Sequence, residues 1–121
     1  MEAAAEGAAS EGGTTVGIMP GTGPDDSPPN RHIGLPIYTG LGQARNQVLV
    51  LSGEAVIGIG GSWGTLTEIG FAMRHGIPVV LLDSWSLEHP DGQGEPGMYR
   101  ASSPIEAVET ALRAASEESP K

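Results

Sequence analysis

Ala55-Val56-Ile57-Gly58-Ile59-Gly60-Gly61-Ser62-Trp63-Gly64-Thr65-Leu66-Thr67-Glu68-Ile69 joins an apolar run to a glycine turn, then to an apolar-periodic segment that closes at Gly76. A strand, a tight turn and a helix start follow one another without a gap. At such a junction the first amides of the helix have no partner within the helix. They point the same way as the positive end of the helix dipole. Anions, and phosphate above all, bind at such ends.

The glycine turn has two readings. Gly60, Gly61 and Gly64 permit positive φ and close approach of a ligand to the backbone. Alternatively, the turn needs glycine only to pack a strand tightly against a helix. Three glycines in five positions at a helix start favour the ligand. No lysine follows them, so this is not the phosphate loop of a nucleoside triphosphatase.

Outward from the turn, apolar and polar segments alternate. Residues 2–11 read as an Ala/Glu-rich helix stopped by Gly12-Gly13. Thr14 to Met19 and Leu35 to Thr39 read as short strands around a Pro/Asp-rich loop over 21–32. Residues 42–51 carry Ala44, Val48 and Leu51 at helical spacing. Ala55 to Ile59 reads as a buried strand, Thr65 to His75 as a helix and Val79 to Leu82 as a strand. Residues 84–97 read as a loop. A last helix runs from Ser103-Pro104 to about Ser116, with Ile105, Val108, Ala111 and Leu112 expected on one apolar face. This alternation predicts an α/β fold, a parallel sheet with flanking helices. Residues 1–116 are expected to form one domain and 117–121 a polar tail.

Composition narrows the functions. The chain has 121 residues, 38% hydrophobic and only 4% aromatic, so its core rests on aliphatic side chains. Its formal net charge is −9, which opposes nucleic-acid binding. A small phosphorylated ligand held by backbone amides is compatible with that charge. There is no cysteine, which excludes disulfides and thiolate chemistry. His32, His75 and His89 are scattered, and no metal site is expected. No secretory pattern opens the chain and no run approaches membrane-spanning length, so a cytoplasmic location and no membrane partner are expected.

Several side chains near the turn bear chemistry. Thr65-Leu66-Thr67-Glu68 fits a capping box, with Thr65 as cap and Glu68 reaching back. A carboxylate there can equally act as a general base or hold a ribose hydroxyl. Arg45, next to Asn46 on the preceding helix, is a natural bidentate phosphate partner. Asp83, at the end of the following strand, imitates the ribose acid of a dinucleotide site. Trp63 either covers a base or packs. Ser62 and Ser84 lack the context of a nucleophilic serine.

Gln43-Ala44-Arg45-Asn46 and the segment from Ala55 to Ile69, with Gly17-Ile18-Met19-Pro20-Gly21 and Gly76-Ile77-Pro78-Val79-Val80, resemble the superfamily of the Lonely Guy phosphoribohydrolases, long labelled lysine decarboxylases. That superfamily also holds molybdenum-cofactor carrier proteins and uncharacterised Rossmann-like proteins, and the chain resembles this carrier-like, uncharacterised branch. The resemblance spans roughly residues 1–83 and implies a Rossmann-like fold. It places the enzymes' arginine and glutamate on Arg45 and Glu68, and phosphate contacts on Gly60, Gly61, Ser62, Gly64 and Thr65, with Asn46 beside them. Ile59 stands where the enzymes carry proline and Asn46 where they carry lysine. The implied function is binding of a phosphorylated nucleotide or nucleotide-like cofactor, with hydrolysis of a nucleoside 5′-monophosphate or dinucleotide binding as alternatives. The family pattern begins with two further strands, so the chain is expected to be truncated at its N-terminus. Exposed sheet edges and self-association into a homo-oligomer are then expected.

Overall fold

The computed structural model describes residues 1–117 and divides the chain into two compact units, Met1–Val48 and the part from Leu49 onward. The first holds helix α1 (Glu2–Ser10) and strands β1 (Val16–Met19) and β2 (Leu35–Tyr38), followed by a short 3-10 turn and helix α2 (Arg45–Leu51), within which the unit boundary falls. The second holds β3 (Val56–Gly60), α3 (Trp63–Arg74), β4 (Val79–Ser84), β5 (Met98–Ala101) and α4 (Pro104–Glu117). All strand pairs are parallel, and the fold is α/β as the alternation predicts. The expected tail lies outside the described residues from residue 118 on. No described helix is long and apolar enough to cross a membrane.

In the first unit β1 and β2 pair from Val16 with Leu35 to Met19 with Tyr38. The connection between them is ordered by side chains that replace secondary structure. The Thr15 hydroxyl donates to the His32 carbonyl over 2.6 Å. The Asp26 carboxylate accepts from the amides of Thr22 and Gly23 at 3.0–3.2 Å. Those amides hold the Asp26 carboxyl below the usual aspartate range. Gly21 is required here, because a Cβ would lie 2.6 Å from the Ser27 Cβ.

In the second unit the strand order is β3-β4-β5. Central β4 is buried on both faces, which explains its unbroken run Val79-Val80-Leu81-Leu82. Val79 and Leu81 pack with Val50, Ile69, Ala72 and Ile77 on the α3 side. Val80 and Leu82 pack with Ala107 and Ala111 on the α4 side.

Two expectations are corrected here. Residues 98–101, left unassigned between the loop and the last helix, form β5, paired with β4 from Val79 with Met98 to Leu82 with Ala101. Four residues containing an arginine, behind a Pro-Gly turn, carry too little periodicity to announce a strand. The apolar face expected on the last helix is also divided. Ala107, Thr110, Ala111 and Ala114 are buried, whereas Ile105, Val108 and Leu112 are 72%, 50% and 68% exposed. The small side chains bring α4 close to the sheet and turn the larger ones outward.

Candidate functional site

The glycine turn lies at the C-terminal end of β3. Gly60 has φ +83°, so the chain leaves the strand through the left-handed region. A bulge accompanies this exit: Ile59 pairs with Leu82, but Gly60 pairs with Ser84. The skipped residue, Asp83, is non-glycine at φ +49°, and aspartate tolerates that region better than most. The bulge frees the Ser84 hydroxyl to donate to the Gly60 carbonyl at 2.6 Å. Asp83 itself is exposed.

The helix start differs from the expected capping box. Ser62, not Thr65, is the N-cap, and its hydroxyl oxygen accepts from the Thr65 amide at 3.1 Å. The Ser62 and Thr65 hydroxyls also pair at 2.9 Å. Helix α3 therefore begins at Trp63, and Glu68 is its sixth residue, too far along to complete a capping box. Glu68 is half-buried on the second turn. Ser62-x-x-Thr65 begins three residues before Thr65-x-x-Glu68, and the sequence by itself does not choose between the two caps.

The first-turn amides divide into two groups. The Thr65 amide is held by the cap and the Leu66 amide by the Ser62 carbonyl at 3.2 Å. Among the described residues, no acceptor pairs with the amides of Trp63 and Gly64. These are donors that an anion at a helix start recruits.

The surroundings of the glycines separate the two readings of the turn. A Cβ on Gly60 or Gly61 meets nothing within 4 Å, and one on Gly64 meets only the Ser62 hydroxyl oxygen at 3.9 Å. Packing within the protein therefore requires glycine at none of them. Backbone conformation requires it at Gly60 alone. By contrast, a Cβ on Gly58 in the strand would touch Ile69 at 3.4 Å.

Two tryptophans flank the turn. The Trp85 indole N–H donates to the Ser62 carbonyl at 3.1 Å. Trp63 and Trp85 lie 5.1 Å apart between ring centroids, at 41°. Sequence reasoning weighed Ser84 only as a nucleophile and missed Trp85. The signal was available, since adjacent parallel strands bring their C-terminal ends together and ligands gather there. A separate cavity of about 430 Å³ lies further along α3, lined by Leu66, Ile69, Met73, Leu87 and Met98 among others. No residue of the glycine turn lines it, and its largely apolar wall, with Glu88 and Glu95, does not suit a phosphate.

Arg45 and Asn46 lie in the first unit, where the structure brings them together. The Arg45 Nε donates to the Asn46 Oδ1 at 3.0 Å, and its Nη1 donates to the Ile18 carbonyl of β1 at 2.7 Å. Asn46 is buried, so the pair is anchored rather than solvated.

The model of the SLOG cluster4 family matches residues 1–111. The chain belongs to the SLOG cluster4 family. An uncharacterised protein of Archaeoglobus fulgidus is 40% identical over 82 residues, covering 68% of this chain and 52% of that protein. The chain thus spans about half the length of the curated relative it matches. Among solved structures, this SLOG chain is similar to the molybdenum cofactor binding protein of Rippkaea orientalis, with TM-score 0.73 and 33% identity over 91% of this chain and 68% of that one. It is also similar to the Moco carrier protein of Chlamydomonas reinhardtii, with TM-score 0.77 and 29% identity over 97% of this chain and 71% of that one. The expected kinship with cofactor carriers of the Lonely Guy-like superfamily is thereby shown.

Proposed function

We propose that this chain binds a phosphorylated nucleotide or nucleotide-like cofactor, of the molybdenum-cofactor type, with the phosphate on the turn from Gly60 to Thr65. One observation carries the reading. Gly61 and Gly64 are glycine where neither packing nor positive φ demands it, beside amides with no acceptor among the described residues. A ligand that touches the backbone supplies the missing reason. Likeness to a molybdenum cofactor binding protein and a Moco carrier protein supports the cofactor class. Ser62 and Thr65 hydroxyls add polar contacts. Arg45 and Asn46 enter through the family resemblance, as groups that recognise phosphate or ribose. A cytoplasmic setting belongs to the same reading.

The test is calorimetric titration with adenosine 5′-monophosphate and with a molybdopterin-type ligand, on the wild type and on Gly61→Ala. Binding that the alanine abolishes, with folding intact, supports the proposal. Equal binding by both proteins overturns the assignment to the turn.

A second reading is hydrolysis of a nucleoside 5′-monophosphate, with Glu68 assisting at the ribose. The observation favouring it is that Glu68 lies half-buried on the second turn of α3, one turn beyond the amides of Trp63 and Gly64. Release of free adenine from AMP, lost in Glu68→Gln, is the expected result. No base above the uncatalysed background overturns it.

Self-association is the remaining part of the proposal, favoured by the exposed Ile105, Val108 and Leu112 of α4.

A further inference from the structure

We infer that Trp63 is the platform on which the ligand's flat heteroaromatic ring stacks, so that this side chain selects ring-bearing phosphates over bare sugar phosphates. The inference rests on the phosphate reading of the turn and adds a specificity-determining residue to it.

The chain has two tryptophans, two tyrosines and one phenylalanine. Both tryptophans converge on the glycine turn, and the fold uses them differently. Trp85 packs against the α3-side core and ties its indole N–H to the Ser62 carbonyl. Trp63 belongs to neither core cluster and is 74% exposed. Its ring contacts that of Trp85, with centroids 5.1 Å apart. A large apolar ring left in water is a cost to the isolated protein.

Position supplies the link to the ligand. Trp63 is the first residue of α3, and its own amide is one of the donors without an acceptor among the described residues. A phosphate on that amide brings the rest of the ligand within reach of the same residue's side chain. An indole face accepts any flat heterocycle by stacking, without demanding a particular hydrogen-bond pattern.

The experiment compares wild type, Trp63→Leu and Trp63→Phe by calorimetry against AMP, GMP, adenosine and ribose 5-phosphate, with tryptophan emission followed in the wild type. Leucine keeps an apolar cover over Trp85 but has no π-face, and phenylalanine restores a smaller one. The expected result is quenching by AMP and GMP, and affinity about fivefold to a hundredfold lower in Trp63→Leu. Trp63→Phe recovers part of that loss, and ribose 5-phosphate binds all three proteins equally. Equal AMP affinity in wild type and Trp63→Leu overturns the platform while leaving the phosphate reading intact. Trp63-dependent binding of adenosine, with no binding of ribose 5-phosphate, supports the platform and sinks the phosphate reading. No binding of AMP, GMP or adenosine to the wild type overturns the platform.

Discussion

The hydroxyl of Ser84 donates to the carbonyl of Gly60 across 2.6 Å, closing the C-terminal lip of β3 and β4 where the register slips by one residue. This bond holds the glycine turn at the angle from which α3 departs. Ser84→Ala is expected to cost about 1 kcal/mol in urea unfolding, the usual worth of a partly buried hydrogen bond. Phosphate-ligand affinity should fall with it, because the turn loses its anchor. A variant with unchanged midpoint and unchanged affinity would show the bond to be incidental.

Gly60 and Gly61 are adjacent but differ in what they require. Gly60→Ala places a Cβ at φ +83° and is expected to lose about 1–2 kcal/mol of stability. Gly61→Ala meets open space without positive φ, so its stability should stay within about 1 kcal/mol of wild type. Its affinity for AMP should nevertheless drop by about tenfold or more, equivalent to about 1.4 kcal/mol. Thermal melts paired with calorimetry separate the two effects. A Gly61→Ala protein that binds normally would remove the turn from the binding reading.

Asp26 supplies a pH dependence of known sign. The amides of Thr22 and then Gly23 lower its carboxyl in the folded chain. A lowered folded value means that the contribution is fully present above the unfolded value, about 3.9. It is lost as pH falls through the folded value. At neutral pH, Asp26→Ala should therefore melt below the wild type, and the two melting curves should converge on acidification. A constant difference at every pH would show that the carboxylate charge is not involved.

Arg45 is both a ligand candidate and a structural tie. Arg45→Ala leaves the Ile18 carbonyl and the Asn46 Oδ1 without their donor, an expected loss of about 1–3 kcal/mol. Arg45→Lys should recover part of it, since one ammonium cannot reproduce the guanidinium's two-atom grip. Ligand titration well below both melting temperatures then reads the binding role by itself. Full affinity in a folded Arg45→Ala protein would restrict this arginine to structure.

The α4 stripe is tested by charge. Leu112→Glu should shift the mass measured by light scattering towards the monomer without lowering the melting temperature of the monomeric unit. Wild type that is monomeric at every concentration would refute self-association.

The local sequence determined the strand-turn-helix unit around Gly60, because glycine spacing and the switch from β-type to helical periodicity are short-range properties. It also determined that Val79 to Leu82 is a strand, but it expected the buried strand at Ala55 to Ile59, whereas the structure buries β4 on both faces and leaves Ile59 exposed at the sheet edge. Three matters were decided only by tertiary structure. Which serine or threonine caps α3 depended on where β3 ends, and the bulge at Gly60 set that point. Which side of α4 is buried depended on which residues meet Val80 and Leu82 of β4, and these are Ala107 and Ala111, with Leu112 left exposed. The partners of the turn, Ser84 and Trp85, lie more than twenty residues away in sequence, and only the pairing of β3 with β4 brings them to it. Hydrophobic periodicity records which residues are apolar, whereas the contacts that build the site require knowing which strand ends are neighbours.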